Sequence, residues 1–459
     1  MLNFTLTLNR EFLEADKEHQ KLFAMLKVRP TKEAAETSPP VNYICLIDTS
    51  GSMYEVVGGD VQETGRTFNV DGCDYREVSG GVTKMDLVIE SLQKLIQSQQ
   101  FKAEDRLAII RFDDEASTLM ELSPVGDRQR MEDAIQQLRL YSGGTRLGLG
   151  MRHVLDLLSS QSMAVNRVLL FTDGQTFDED LCRDFVKDFS GNNISISALG
   201  VGEYEEDLLV YLSDNTAGKL RHVVAESASG TQVAIADLPK EILGDFRDAQ
   251  REVVTNMALS VATVQGVKLV RLARVYPTVV ENSMAQEPYL IGNIMAGDET
   301  VFILEFDVAS RIASRVRIAQ LGFTYDVPGK KQRKEVAPQN IVAQFVNGAV
   351  TPQMDAEVMA YVQQLNVAGL VKQSMDVVDS DPIRAEKLLE TASRMTRKWG
   401  NDSLTESLSQ AQDELRKTRK LSPEFRKTVK IGSKGKTVRI NDDLGEELSQ
   451  DAIRQLTGT

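Results

Sequence analysis

The chain changes its hydrophobic period several times, and each change marks a different kind of element. Near the start, Leu2, Phe4, Leu6 and Leu8 alternate with Asn3, Thr5, Thr7 and Asn9, the period of two of a half-buried strand. Residues 22–28 give a second strand, ended by Arg29 and Pro30, and a polar linker follows that closes with Pro39 and Pro40. The run Tyr43-Ile44-Cys45-Leu46-Ile47 is then continuously apolar and short, as in a strand buried on both faces of a parallel sheet. Further strands are predicted at 106–112, 167–172, 194–200 and, shorter, near 220–224. Between them lie helical stripes. Met85, Val88, Ile89, Leu92, Leu95 and Ile96 recur at 3.6-residue spacing over 84–98, residues 148–159 and 180–189 repeat the pattern, and 232–253 reads as a last helix. Strands interleaved with helices predict a doubly wound parallel sheet.

Past residue 253 the period returns to two, in short runs separated by turn residues, which suggests a β-sandwich. The N-terminal strands have no other evident partners, so they are expected to join that sandwich. The α/β domain would then be an insertion into it. From Asp355 the pattern is helical again: Asp381 followed by Pro382 opens a helix to Arg397, and another runs from Ser403 to about Lys420. Residues 428–432 and 436–440 flank Ser433-Lys434-Gly435 as a hairpin, and 441–456 reads as a terminal helix. The expected plan is therefore 1–40 N-terminal strands and linker, 41–253 α/β domain, 254–350 β-sandwich, 351–420 helical region, and 421–459 basic hairpin and final helix.

Chemistry concentrates where the buried strands end. The first apolar run leads into Asp48-Thr49-Ser50-Gly51-Ser52, at the carboxyl end of a central strand, where open α/β sheets place their ligand sites. One carboxylate and two hydroxyls make a set of hard oxygen donors suited to Mg2+ rather than to a soft metal. By itself this stretch reads equally as a capped strand-to-helix turn. Two later segments alter that reading. Leu169-Leu170-Phe171-Thr172-Asp173-Gly174 ends a second buried run with a carboxylate, and Tyr141-Ser142-Gly143-Gly144-Thr145 puts a hydroxyl after two glycines. Asp48, Ser50, Ser52, Thr145 and Asp173 together are five oxygen donors with no nitrogen or sulfur.

This set resembles the von Willebrand factor type A (VWA) domain, whose metal-ion-dependent adhesion site consists of D-x-S-x-S, a distant Thr and a distant Asp. Residues 105–113 and 198–202 match the family further. The resemblance is specific over about 41–225 and looser outside, where the plan looks like bacterial intracellular VWA proteins of the calcium-activated chloride channel homologue type. It implies that Ser50 and Ser52 bind Mg2+ directly, with Mn2+ or Ca2+ as alternatives. Thr145 would bind directly or through water, and Asp48 and Asp173 largely through water. One position of the ion stays open for an Asp or Glu of a partner. The sequence departs from the compact family pattern at 54–83. This glycine-rich insertion precedes the expected helix at Lys84 and reads as a hairpin that covers, shapes or gates the site, or as a passive surface excursion.

Composition narrows the function classes. A net charge of -14 and a pI near 5.0 argue against a general nucleic-acid binder. Three cysteines form no even framework, no stretch approaches 18 apolar residues, and the N-terminus lacks a leader pattern, so the chain is expected to be cytoplasmic. P-loop, H-E-x-x-H, nucleophile-elbow and Cys–His patterns are missing, and the sequence reads as a binding module rather than an enzyme. A metal-dependent phosphoryl hydrolase or an accessory subunit of an ATPase complex is the alternative. His153, Asp113, Asp114, Asp178 and Asp180 read as helix-face or loop residues and Trp399 as core. The basic run at 329–334 reads as a solvated tip. The basic stretch from 421 would recruit a partner or fold back on the protein's own acidic surface.

Overall fold

The computed structural model describes every residue except 36–38, 71–72, 159–163, 203, 226–227, 331–332, 350–352 and 441–459. The expected terminal helix therefore lies outside the described residues. Two compact units emerge. One comprises Pro40–Ala228 with Gln232–Gln250, and the other comprises Met1–Pro39, Ser229–Thr231 and Arg251–Thr459.

The first unit is built on a seven-stranded sheet ordered Val233–Ala234, Leu220–Val224, Ile194–Val201, Val165–Thr172, Val41–Asp48, Arg106–Phe112, Ala116–Pro124. All its pairings are parallel except the last, where Ala116–Pro124 runs antiparallel as an edge. Every residue of Val41–Asp48, Val165–Thr172 and Ile194–Val201 is buried, which is why these strands read as unbroken apolar runs. Helix Lys84–Gln97 packs its Met85, Val88, Ile89, Leu92 and Leu95 stripe into a core shared with Tyr43, Cys45, Ile47, Leu169 and Phe171. Its start is fixed by a capping box in which Thr83 and Asp86 exchange side-chain and backbone hydrogen bonds.

Two sequence expectations are corrected here. The sheet is mixed rather than wholly parallel, because only residues 113–115 separate Arg106–Phe112 from Ala116–Pro124, too few for a crossover, so the chain turns straight back beside its neighbour. The last helix is Leu238–Gln250, not 232–253: Val233–Ala234 pairs with Leu220–Val224 as a short strand, Pro239 sits in the helix's first turn, and Val253 lies on the strand Glu252–Thr263. The 54–83 insertion is an antiparallel two-stranded ribbon of Val56–Val70 and Cys73–Thr83.

The second unit contains two five-stranded sheets. Their orders are Leu2–Leu8, Gln20–Pro30, Thr300–Val308, Val267–Tyr276, Val280–Glu281 and Tyr289–Met295, Glu252–Thr263, Arg315–Asp326, Lys334–Val346, Phe12–Glu14. Alternate residues of Gln20–Pro30 and Thr300–Val308 serve two cores. Leu22, Ala24, Leu26, Phe302, Leu304 and Phe306 face the other sheet's Leu259, Phe323 and Phe345. Phe23, Met25, Val301 and Ile303 face the helices Ala356–Val377, Pro382–Lys398 and Asp402–Thr418. Trp399 lies in this helical core.

The basic hairpin expected at 428–440 is corrected too. Residues Pro423–Lys434 form a helix, because Ser422 accepts from the Phe425 amide as N-cap and Pro423 fits the first turn. Val429 and Ile440 are core residues, Arg426 donates to Asp379, and Arg439 pairs with Glu299 at 2.9 Å. The described part of the basic stretch thus folds onto its own unit. No helix among the described residues is long and apolar enough to cross a membrane.

Candidate metal centre at the carboxyl end of the parallel sheet

The two carboxylates stand side by side because the strands that deliver them are neighbours. Val41–Asp48 ends in Asp48, the adjacent Val165–Thr172 is followed at once by Asp173, and both carboxylates are buried. Asp48 Oδ1 accepts from the Ser50 amide at 2.8 Å and Oδ2 from the Thr172 hydroxyl at 2.6 Å. These bonds lower its affinity for a proton, but burial, first, and the nearby Asp173 charge outweigh them and push its pKa up to about 7.

The serines close the gap between the strands. Ser50 Oγ lies 3.1 Å from Ser52 Oγ, and Ser52 Oγ donates to Asp173 Oδ1 at 2.7 Å. Thr145 comes in from the loop before the helix Leu147–Leu158. A methyl group on Gly174 would sit 3.4 Å from its Oγ1, so the hydroxyl borders the residue after Asp173. The structure therefore joins Asp48, Ser50, Ser52 and Asp173 through contacts of hydrogen-bond length, with Thr145 at their border.

The glycines of the Thr145 loop let the backbone come close to Asp114. A Cβ on Gly143 would fall 2.8 Å from Asp114 Oδ2, and one on Gly144 would fall 2.6 Å from Asp114 Oδ1. Asp114 Oδ2 accepts from the Gly144 amide at 2.9 Å, while the Gly143 carbonyl accepts from the Gly51 amide at 3.0 Å. Asp113 is buried, held by Arg111 at 2.6 Å and by the Thr49 hydroxyl at 3.1 Å. Asp178 Oδ1 accepts from Thr176 Oγ1 at 2.7 Å and from the Gly148 amide at 3.0 Å. Asp113 and Asp178 are thus loop holders with defined partners rather than solvated acids, Asp114 bonds the Gly144 amide from an exposed position, and Asp180 is exposed as the sequence suggested. His153 sits half-buried on the helix Leu147–Leu158.

One neighbour escaped the sequence reading altogether. Lys84 Nζ donates to Asp173 Oδ2 at 2.8 Å and pairs with Glu55 Oε2 at 2.6 Å. A lysine after a polar loop looks like a solvated surface residue, and its partners are remote or unremarkable in sequence.

The oxygens suit a hard cation. Ligands about 2.1 Å from an octahedral Mg2+ lie about 2.9–3.0 Å apart along an edge. The Ser50–Ser52 separation of 3.1 Å is close to that value, and the Asp173 carboxylate stands next to Ser52, where it can hold a metal-bound water. Among the described residues, no group of three or more His, Cys, Asp or Glu side chains is disposed to hold a metal ion, so any cation here would rest chiefly on hydroxyls.

Comparison with known proteins agrees with this architecture. Residues 44–238 match the model of the von Willebrand factor type A domain, and residues 356–439 match that of the Sll0103-like, C-terminal alpha-helical domain. Uncharacterized protein sll0103 of Synechocystis sp. is 22% identical over 324 residues, covering 67% of this chain and 74% of its own. The solved von Willebrand factor type A structure from Catenulispora acidiphila matches with a TM-score of 0.73 at 17% identity, over 95% of this chain and 97% of that one. The ArnB paralog VWA2 from Sulfolobus acidocaldarius matches with a TM-score of 0.53 at 14% identity, over 95% and 100%. At these identities the structural likeness is one of fold.

Proposed function

Taking residues 44–238 as a VWA domain, generally a protein–protein interaction module, we propose that the chain is a cytoplasmic bacterial adaptor whose contact with its partner depends on Mg2+. Asp48, Ser50, Ser52, Thr145 and Asp173 would hold the ion, which when bound supplies an electrophilic position that an Asp or Glu of a partner protein completes. The observation that supports this reading is the convergence of Ser50, Ser52 and the Asp173 carboxylate at the ends of two neighbouring strands, with the two serine oxygens 3.1 Å apart, close to one edge of an octahedron. The polar groups touching the cluster, Thr172 and Lys84, hold its carboxylates rather than present a base to a substrate, so binding is favoured over reaction. Phe177, which is 69% exposed and follows Asp173 by four residues, offers an aromatic side chain of a type enriched at protein interfaces. Cys45 and Cys182 are free and buried, in keeping with a reducing compartment. In this reading the VWA domain is an insertion into the β-sandwich formed by the two five-stranded sheets.

The test is affinity capture with wild type and Asp48→Ala, each in Mg2+ and in EDTA. Proteins retained only by wild type in Mg2+ are the expected result. An identical set of captured proteins in all four conditions contradicts the proposal.

A further inference from the structure

The cluster already contains a cation of its own. The Lys84 side chain is 7% exposed and that of Asp173 is 0% exposed, so their ion pair is shielded from water. Lys84 is not a wandering surface group. It is the first residue of helix Lys84–Gln97, its amide donates to the Glu55 carbonyl at 3.2 Å, and the Thr83–Asp86 capping box fixes the same turn. The foot of the ribbon and the start of the helix therefore deliver the ammonium to one place.

Its two partners differ. Asp173 uses Oδ1 for Ser52 and Oδ2 for Lys84, so this one carboxylate belongs both to the candidate metal set and to the lysine. Glu55 is 55% exposed and contacts Lys84 from the solvent side. A divalent ion placed among Ser50, Ser52 and Asp173 must share Asp173 with a unit positive charge in a poorly screened setting, where like charges repel strongly.

We infer that Lys84 is a tethered counter-cation that competes with the divalent ion for Asp173 and so sets the site's metal affinity, with Glu55 drawing the ammonium aside when metal enters. The inference rests on the metal-binding reading above. It explains how a buried carboxylate is balanced when no divalent ion is held. It also gives the foot of the ribbon a part in the site, since Glu55 immediately precedes the strand Val56–Val70. Lys84 is thus a positioning residue for charge rather than a ligand.

The experiment is calorimetric titration of MgCl2, and separately MnCl2, into the full-length chain stripped with EDTA. It compares wild type, Lys84→Met, Lys84→Arg and Glu55→Gln, with Asp173→Ala as the site control. Lys84→Met keeps the apolar stem and removes the charge, and is expected to bind Mg2+ at least about tenfold more tightly than wild type. Lys84→Arg should restore affinity to within about threefold of wild type, and Glu55→Gln should weaken it by about threefold or more. Metal binding by Lys84→Met where wild type shows none also supports the inference. Equal affinity in wild type and Lys84→Met overturns it while leaving the metal site intact. Absence of binding in both, or binding that survives Asp173→Ala, overturns the metal reading as well. If Lys84→Met fails to fold with or without Mg2+, the exposed Glu55→Gln decides alone, and an unchanged affinity refutes the competition.

Discussion

Two buried polar clusters share the strand Val165–Thr172, one near each end, and they differ in how their charge closes. Near its start, Arg167 donates to Ser197 Oγ at 2.8 Å and lies 3.5 Å from Asp245 Oδ1 on the helix Leu238–Gln250. Asp245 also accepts from Ser197 at 2.6 Å and from the Tyr43 hydroxyl at 3.1 Å. One cation meets one anion, and the Ser197 and Tyr43 hydroxyls complete the carboxylate. At the other end, one buried ammonium serves Asp173 and Glu55, while the neighbouring Asp48 is held only by the Ser50 amide and the Thr172 hydroxyl. Burial is similar at the two ends; closure is not. The closed cluster pins a helix to the sheet, whereas the open one gathers more carboxyl groups than ammonium groups, so that Asp48 is driven toward its protonated form.

Breaking the closed cluster should have the larger effect on stability. Asp245→Ala leaves the Arg167 guanidinium buried without its carboxylate and is expected to cost about 3–5 kcal/mol. Urea unfolding measures this, and the loss should be the same in Mg2+ and in EDTA. A loss that Mg2+ repairs would erase the distinction between the two ends.

The open cluster predicts a pH dependence with an unusual sign for an aspartate. Burial, then Asp173, raises the Asp48 carboxyl to about 7. The folded, metal-free chain therefore keeps a proton that the unfolded chain sheds near pH 4. The contribution of Asp48 to stability is intact below the unfolded value and is lost as pH rises through the folded one, by roughly 4 kcal/mol in all. In EDTA, wild type should fall behind Asp48→Asn as pH goes from about 5 to about 8. Saturating Mg2+ should narrow that gap, because an ion favours the ionised carboxylate. A gap that does not change with pH would refute the assignment.

The smallest effect is expected from the ribbon. Replacing residues 57–82 by a short glycine linker removes an exposed two-stranded element and should change global stability by less than about 1 kcal/mol. Mg2+ affinity should be spared, while the set of captured partners changes. Unchanged partner affinity in the trimmed chain would remove any gating role.

Much of this contrast was legible in the sequence, though unevenly. The strands ending at Asp48 and Asp173 announce themselves because burial on both faces forces unbroken apolar runs, and the VWA motif supplied Thr145. The α/β alternation and the helices after residue 355 were legible for the same reason of period. The helix Pro423–Lys434 was misread because Thr428, Val429, Lys430 and Ile431 alternate locally like a strand, while the cap at Ser422 lies outside that window. Lys84 was invisible because its meaning lies in Asp173, a contact 89 residues away that no local pattern encodes. Asp245 likewise looks like an ordinary helix acid until the fold sets it against Arg167.

The most direct test of the open site is the stoichiometry of Mg2+ binding to the EDTA-stripped full-length chain, compared with Asp173→Ala. One Mg2+ per wild-type chain and none in the variant is the expected result. Failure of wild type to bind Mg2+, or equal binding by both proteins, would contradict it.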